Sequence, residues 1–430
     1  MKTSTMQTQP QKTTAPNVAQ AILPVSLRAR SAKTTRYAAL ALTTLLLLTL
    51  GARAADIDNT GTTVSAGVWG EPGVDLYIGH TASGTLTING SGTVLNKDAY
   101  AGAERGAVGR VTVSDQGFWN NHGSVTIGNA GSGVLVITDG TVNVNGALTF
   151  GGTTGGGGTG AISGGLVTVG ELTVGGGGYN PDFITGGSGA LTVTGGTVQV
   201  QGDTKIGNYN NIGDYNGSSV SIGGDAYWQG QDFFVGYSRA SAVLDLIGSG
   251  SIQTANSTIG LTNSASGSAR VGDNARWDAG ALNVGASGTG DLAINGHGAV
   301  FSTGASIGTD VTGTDVTKTD TIISSLGRVT VSDQGLWHND SEYFTVGASG
   351  SGVLTVNGGT VQTTHHLTIG GGTTGHGAVS VSGYQNSLYI GDTLTVGDHG
   401  TGILTISDIG YVNAGQATIG HGATGHGTVS

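Results

Sequence analysis

Apolar residues in this chain recur in short alternating runs. In the stretch LNVGASGTGDLAINGHGAVFSTG (282–304), Leu282 and Val284 flank a polar residue, Leu292 and Ile294 do the same, and Val300 follows. A period of two over so few residues predicts strands with one buried face, and the glycines between them predict tight corners. An aliphatic–glycine dipeptide marks the end of each unit. It recurs as Ile78-Gly79, Ile127-Gly128, Phe150-Gly151, Val174-Gly175, Ile206-Gly207, Val235-Gly236 and Ile259-Gly260, then as Val284-Gly285, Ile307-Gly308, Val346-Gly347, Ile369-Gly370, Val396-Gly397 and Ile419-Gly420, with Ala101-Gly102 as a degenerate member. Successive anchors lie 23, 26, 23, 24, 32, 29, 24, 25, 23, 39, 23, 27 and 23 residues apart, so the base period is 23 and the longer steps hold insertions. Three short strands per period make one turn of a β-solenoid. A lone coil cannot bury its apolar face but a stack can. The pattern predicts an all-β parallel solenoid of about 14 coils, spanning roughly 67 Å at ~4.8 Å per rung.

Two stretches are nearly the same: GRVTVSDQGFWNN (109–121) and GRVTVSDQGLWHN (327–339) agree at eleven of thirteen positions. Trp119 and Trp337 each fall eight residues after the first valine of their strand, Val111 and Val329. Trp228 stands eight after Val220, and Trp277 eight after Ala269, while Trp69 lies nine before its anchor, as Trp337 does. All five tryptophans therefore share one repeat position, which other coils fill with Val94, Ile252, Val300 and Val412. The larger unit is two coils, tryptophan on one and an aliphatic residue on the next, as suits a stacked core. Two tryptophan places are empty; Leu166 or Val167 stands near one, and Leu388 near the other. The alternative role for these rings, an exposed platform for sugar, would need them spaced along an outer face.

Composition narrows the picture. Glycine is 83 of 430 residues, proline 5, cysteine 0, and charged residues 10%. This excludes collagen-like, disordered and disulfide-stapled chains, and leaves burial and backbone pairing to hold the fold. The first 54 residues differ: Lys2, Lys12, Arg28, Arg30, Lys33, Arg36 and Arg53 are basic, and no acid accompanies them. The apolar run AALALTTLLLLTL (38–50) is too short to span a bilayer comfortably. With Ala52-Arg53-Ala54 behind it, the segment reads as an extended signal peptide over 1–54, cut before Ala55. The solenoid then occupies 55–430, with 16 − 7 = 9 basic and 27 acidic residues, a net charge of −18. Such a surface is a poor partner for nucleic acid.

Little of the sequence points to catalysis. Polysaccharide-cleaving β-helices need convergent acids and bases, and here the acids are scattered. The densest acidic stretch, TDVTGTDVTKTD (309–320), carries Asp310, Asp315 and Asp320 in the longest insertion. These three could hold a hard cation but read first as a solvated contact loop. A second insertion, NYNNIGDYNG (208–217), offers Tyr209 and Tyr215 for surface contacts. Histidines gather late, with His376 and His426 in matching TGHG turns that stacking could bring together. GGTTGGGGTG (151–160) has no lysine and is no phosphate loop. No cofactor, catalytic residue or metal ligand is expected.

VTVSDQGLWHND…FTVGASGSGVLTVNGGTVQT (329–363), with IGGGTTGHGAVSVSG (369–383) after it, resembles the repeat of bacterial autotransporter passengers of type V secretion. The same repeat occurs in some proteins exported to the cell surface by other routes. The resemblance covers about 60–430, and the long basic leader is similar to the extended signals of many autotransporters. It implies a right-handed parallel β-helix displayed on, or released from, a Gram-negative surface, with an adhesive or structural role toward host or matrix molecules or other cells. It also implies an outer-membrane β-barrel in the full-length gene. The chain stops inside a coil, at IGHGATGHGTVS, and is expected to be a truncated form that would stay periplasmic or be released if made alone. A polysaccharide-acting enzyme and a non-functional remnant are the competing expectations.

Overall fold

The computed structural model describes residues 61–152, 156–176, 186–208, 217–309, 325–383 and 387–430. Among these, every regular element is a β-strand, and all 35 strands join one parallel sheet wound into stacked coils. The coil that holds Trp119 shows the plan. Val108–Val113 is its first strand, Phe118–Asn121 its second and Val125–Ile127 its third. Elsewhere two strands run on through a corner, as in Thr141–Phe150 and Arg276–Val284.

The aliphatic–glycine anchors are the ends of the third strands, and each pairs with the next. Ile78 pairs with Ala101, Ala101 with Ile127, Ile127 with Phe150, and so on without a gap to Val396 with Ile419. The longest step, Ile307 to Val346, keeps the register, so its insertion leaves the stack undisturbed. Ala101 holds its place in the column although it is smaller than its neighbours.

Glycine is imposed at the corner between the third and first strands. Gly102 has φ of +67°, and a Cβ there would collide with the Ser132 carbonyl oxygen of the next coil. Gly109, in the first strand that follows, would drive a Cβ into the Gly102 nitrogen and the Ile78 carbonyl. The two residues interlock, and the same clash pattern recurs at Gly308 and Gly327. The turn from first to second strand solves its geometry differently. Asp115 and Gln116 are both left-handed (φ 47° and 69°), and Asp333 and Gln334 repeat them (φ 48° and 69°). Asp tolerates that region through local hydrogen bonding, and Ser114 Oγ bonds Asp115 while Ser332 Oγ bonds Asp333.

Alternate residues of most strands are buried. In the Trp119 coil, Val111, Val113, Trp119, Val125 and Ile127 are all fully buried. Each aliphatic side chain so placed stabilises the fold by ~1.5–3 kcal/mol, and only neighbouring coils can provide that cover.

The tryptophans form one internal column. Trp69 pairs with Val94, Val94 with Trp119, Trp119 with Val142, and Val142 with Val167. The column continues through Val198, Trp228, Ile252, Trp277, Val300, Trp337, Val361, Leu388 and Val412. No two tryptophans are adjacent, so the two-coil unit holds. Trp119, Trp228, Trp277 and Trp337 are fully buried, and half-buried Trp69 packs against the core in the first described coil. Val167, not Leu166, fills one empty tryptophan place, and Leu388 fills the other.

Candidate ligand-binding face

With every second side chain committed to the core, chemistry is left to the outward positions. The first strands turn out β-branched residues such as Thr112, Val136, Thr330 and Thr355, interspersed with charged ones, Arg110, Asp245, Arg270, Asp291 and Arg328. The third strands turn out two threonine runs, Thr126, Thr149 and Thr173, then Thr345, Thr368 and Thr395, separated by rungs that include Lys205, Phe234 and Asn283. The first threonine run follows Tyr77 and Tyr100 in the same column, whose rings stack at 5.2 Å and 18°.

The second strands are different. The residue immediately after the internal tryptophan column points outward, and from the sixth rung of that column, Val198, onward it forms a continuous row. Gln199 pairs with Gln229, Gln229 with Gln253, Gln253 with Asp278 and Asp278 with Phe301. Phe301 then pairs with His338, His338 with Gln362, Gln362 with Tyr389 and Tyr389 with Asn413. All nine side chains end in a planar group: an amide, a carboxylate, an imidazole or an aromatic ring. Asn120 and Asn143 make an earlier short row of the same kind, joined by a 3.0 Å bond from Asn143 Nδ2 to Asn120 Oδ1.

Local contacts hold these groups upright. Tyr227 Oη donates to Gln253 Oε1 at 2.6 Å, and Asn413 Nδ2 donates to Tyr411 Oη at 2.9 Å. The Arg276 guanidinium lies 3.9 Å from the Phe301 ring centroid. It also grips Asp278 with two bonds, Nη2 to Oδ1 at 2.7 Å and Nε to Oδ2 at 3.0 Å. His338 sits 6.1 Å from Phe301, and Tyr389 meets Tyr411 edge-on at 6.0 Å. Arg276 and Asp278 are thus the face's one cation and one carboxylate among these outward positions, and they neutralise each other.

Other charges lie on the first strands, where Asp245 pairs with Arg270 and Arg328 meets Asp291 at 3.3 Å, on the third strands and at the corners. Asp98 accepts the Ser124 backbone N–H at 2.8 Å, and this bond chiefly holds its carboxyl below the usual range, against burial and with help from Lys97. Burial pushes the Tyr100 phenol up. At Lys205 burial works against the charge, yet Asp203 and Glu171 hold the ammonium above its ordinary value. Burial also opposes the Asp398 carboxylate, which bonds to His421 and His399 nonetheless keep below its usual range.

Of the residues singled out from sequence, the five tryptophans lie in the internal column and take no part in an outer site. Tyr209, Tyr215, Asp310, Asp315 and Asp320 lie outside the described residues, as do the cleavage positions Ala52, Ala54 and Ala55. His376 and His426 do share one column, but Thr401 stands between them. Among the described residues no group of three His, Asp or Glu side chains has a metal-binding arrangement. The planar row escaped the sequence reading, although its signal is plain once every coil is aligned on the tryptophan position and the next residue is read down the column. No family model matches the chain, and neither the curated proteins nor the solved structures contain a match.

Proposed function

We propose that this chain is an exported, surface-displayed passenger of the autotransporter kind, with an adhesive and structural role. The observation that carries the proposal is the unbroken planar row from Gln199 to Asn413, one side chain per coil on an open face. Contact made this way is spread along the molecule, with weak units adding through multivalency. The basic leader, the absence of cysteine and the likeness of 329–383 to autotransporter repeats support the same reading.

The test is to produce the chain, with its natural leader and whatever follows it in the gene, in a Gram-negative host. Protease treatment of intact cells should cut it, and those cells should attach to coated surfaces better than cells lacking it. Retention in the cytoplasm, or equal attachment by both strains, would overturn the reading.

A further inference from the structure

We infer that the planar row from Gln199 to Asn413 binds an uncharged, extended polysaccharide lying along the solenoid axis. The inference rests on the adhesive reading above and names its ligand. Three features carry it.

The first is the hydrogen-bonding character of the row. Each amide both donates and accepts, as each sugar hydroxyl does. Gln229 and Gln253 are exposed neighbours on consecutive rungs, and a hydroxyl-bearing polymer can satisfy both without a change of register. The second is the aromatic end of the row. Tyr389, in the row, and Tyr411, beside the row's last member Asn413, are 41% and 50% exposed, so their rings remain open to the C–H-rich face of a pyranose. The third is charge. The face's single ion pair, Arg276 with Asp278, is closed on itself, and the rest of the solenoid is strongly acidic. An anionic polymer, nucleic acid included, would meet repulsion with no basic stripe to offset it. A neutral one meets none.

The repeat completes the argument. Rungs stand ~4.8 Å apart, close to the length of one hexopyranose unit in an extended chain. Successive sugars can therefore meet successive planar groups, and affinity accumulates along the polymer. The face supplies binding and orientation; its one carboxylate is held by Arg276.

The experiment uses the full secreted chain in affinity electrophoresis through gels containing hydroxyethylcellulose or galactomannan, with alginate and dextran sulfate as anionic probes. Retardation is expected in the neutral gels and not in the anionic ones. The double variant Tyr389→Ala/Tyr411→Ala should weaken binding by about tenfold, the worth of two ring contacts. Gln229→Ala/Gln253→Ala should weaken it by a smaller factor. Both pairs are exposed, so melting temperatures should match the parent. Thr345→Ala/Thr368→Ala, on the third-strand face, should bind as the parent does. Failure to be retarded by either neutral polymer, retardation by the anionic ones, or unchanged binding in the tyrosine variant would each refute the proposal. Attachment of cells displaying the same variants separates the two readings. Cells that attach normally with the tyrosines removed sink the glycan assignment alone, whereas no attachment by the parent sinks the adhesive reading itself.

Discussion

The two copies of the duplicated segment bury the same ring in the same column, yet they complete its hydrogen bonding to different extents. Around Trp337 the chain is closed. The indole Nε1 donates to Ser302 Oγ at 3.0 Å, Ser302 Oγ to Asn339 Oδ1 at 2.9 Å, and Asn339 Nδ2 to Thr363 Oγ1 at 3.3 Å. Around Trp119 it is half closed: the indole donates to Asn96 Oδ1 at 2.7 Å, but Asn96 Nδ2 and Asn121 Nδ2 have no partner. Trp228 and Trp277, in the middle of the stack, have no indole partner at all. The cause is one position in the preceding coil, two residues beyond the tryptophan column. It holds Asn96 before Trp119 and Ser302 before Trp337. Before Trp228 it holds Val200, which cannot accept, and before Trp277 it holds Thr254, whose hydroxyl is engaged with Ser257 and the Asp278 carbonyl. The middle rings pack instead about Phe233, edge-on at 5.8 and 5.9 Å. The repeat thus enforces a large apolar ring, and each neighbourhood settles the polar atom in its own way.

The hardest blow to this comparison is Trp337→Ala. It should leave a cavity and cost ~3–5 kcal/mol, with damage confined to a few coils because a solenoid couples chiefly to nearest neighbours. Hydrogen exchange should accelerate across 299–307, 336–346 and 360–369 and stay unchanged near Trp119. Global unfolding in one step would mean that the coils are not energetically local. Next in size is Ser302→Ala, which should make the Trp337 indole resemble that of Trp228 and cost about 1–3 kcal/mol. A neutral result would show that the indole bond adds nothing to burial. A finer comparison pairs Val200→Thr with Val169→Thr. Both place a hydroxyl in the same buried column, but only the first lies before a tryptophan. Chemical denaturation should find Val200→Thr more stable than Val169→Thr by about 1 kcal/mol. Equal values would break the rule that the preceding coil supplies the indole's partner.

The smallest expected effect is one of pH, beside the Trp119 copy. The Asp98 carboxyl is lowered in the folded chain, chiefly by the Ser124 N–H. Its contribution is therefore complete above the ordinary carboxylate value, about 3.9, and is lost as pH falls through the lower folded value. Exchange at the Ser124 amide, corrected for intrinsic rate, should rise in that window and lose its pH dependence in Asp98→Asn.

The internal columns were legible in the sequence because one constraint repeats at one spacing. Ile78 through Ile419 could be read as anchors, Ala101 included, and the five tryptophans as a single position. Three things were not legible, for physical reasons. Leu166 and Val167 are both apolar, and only strand register decides which faces in. The indole partners lie 23 residues from Trp119 and 35 from Trp337, so no local motif joins them. The planar outer row tolerates any flat polar or aromatic group, so it leaves no fixed letters in a single coil and shows only when the coils are aligned in register.

The stacking direction also decides how such a molecule answers to force. Strand-to-strand hydrogen bonds all run from coil to coil, so a pull along the axis loads the coils in series and the weakest yields first. One 23-residue coil, such as that from Ile78 to Ala101, would pay out roughly 75 Å of slack when drawn straight at ~3.3–3.6 Å per residue. Its neighbours would remain wound, so an anchored molecule would lengthen in steps and absorb a tug that would snap a rigid tether.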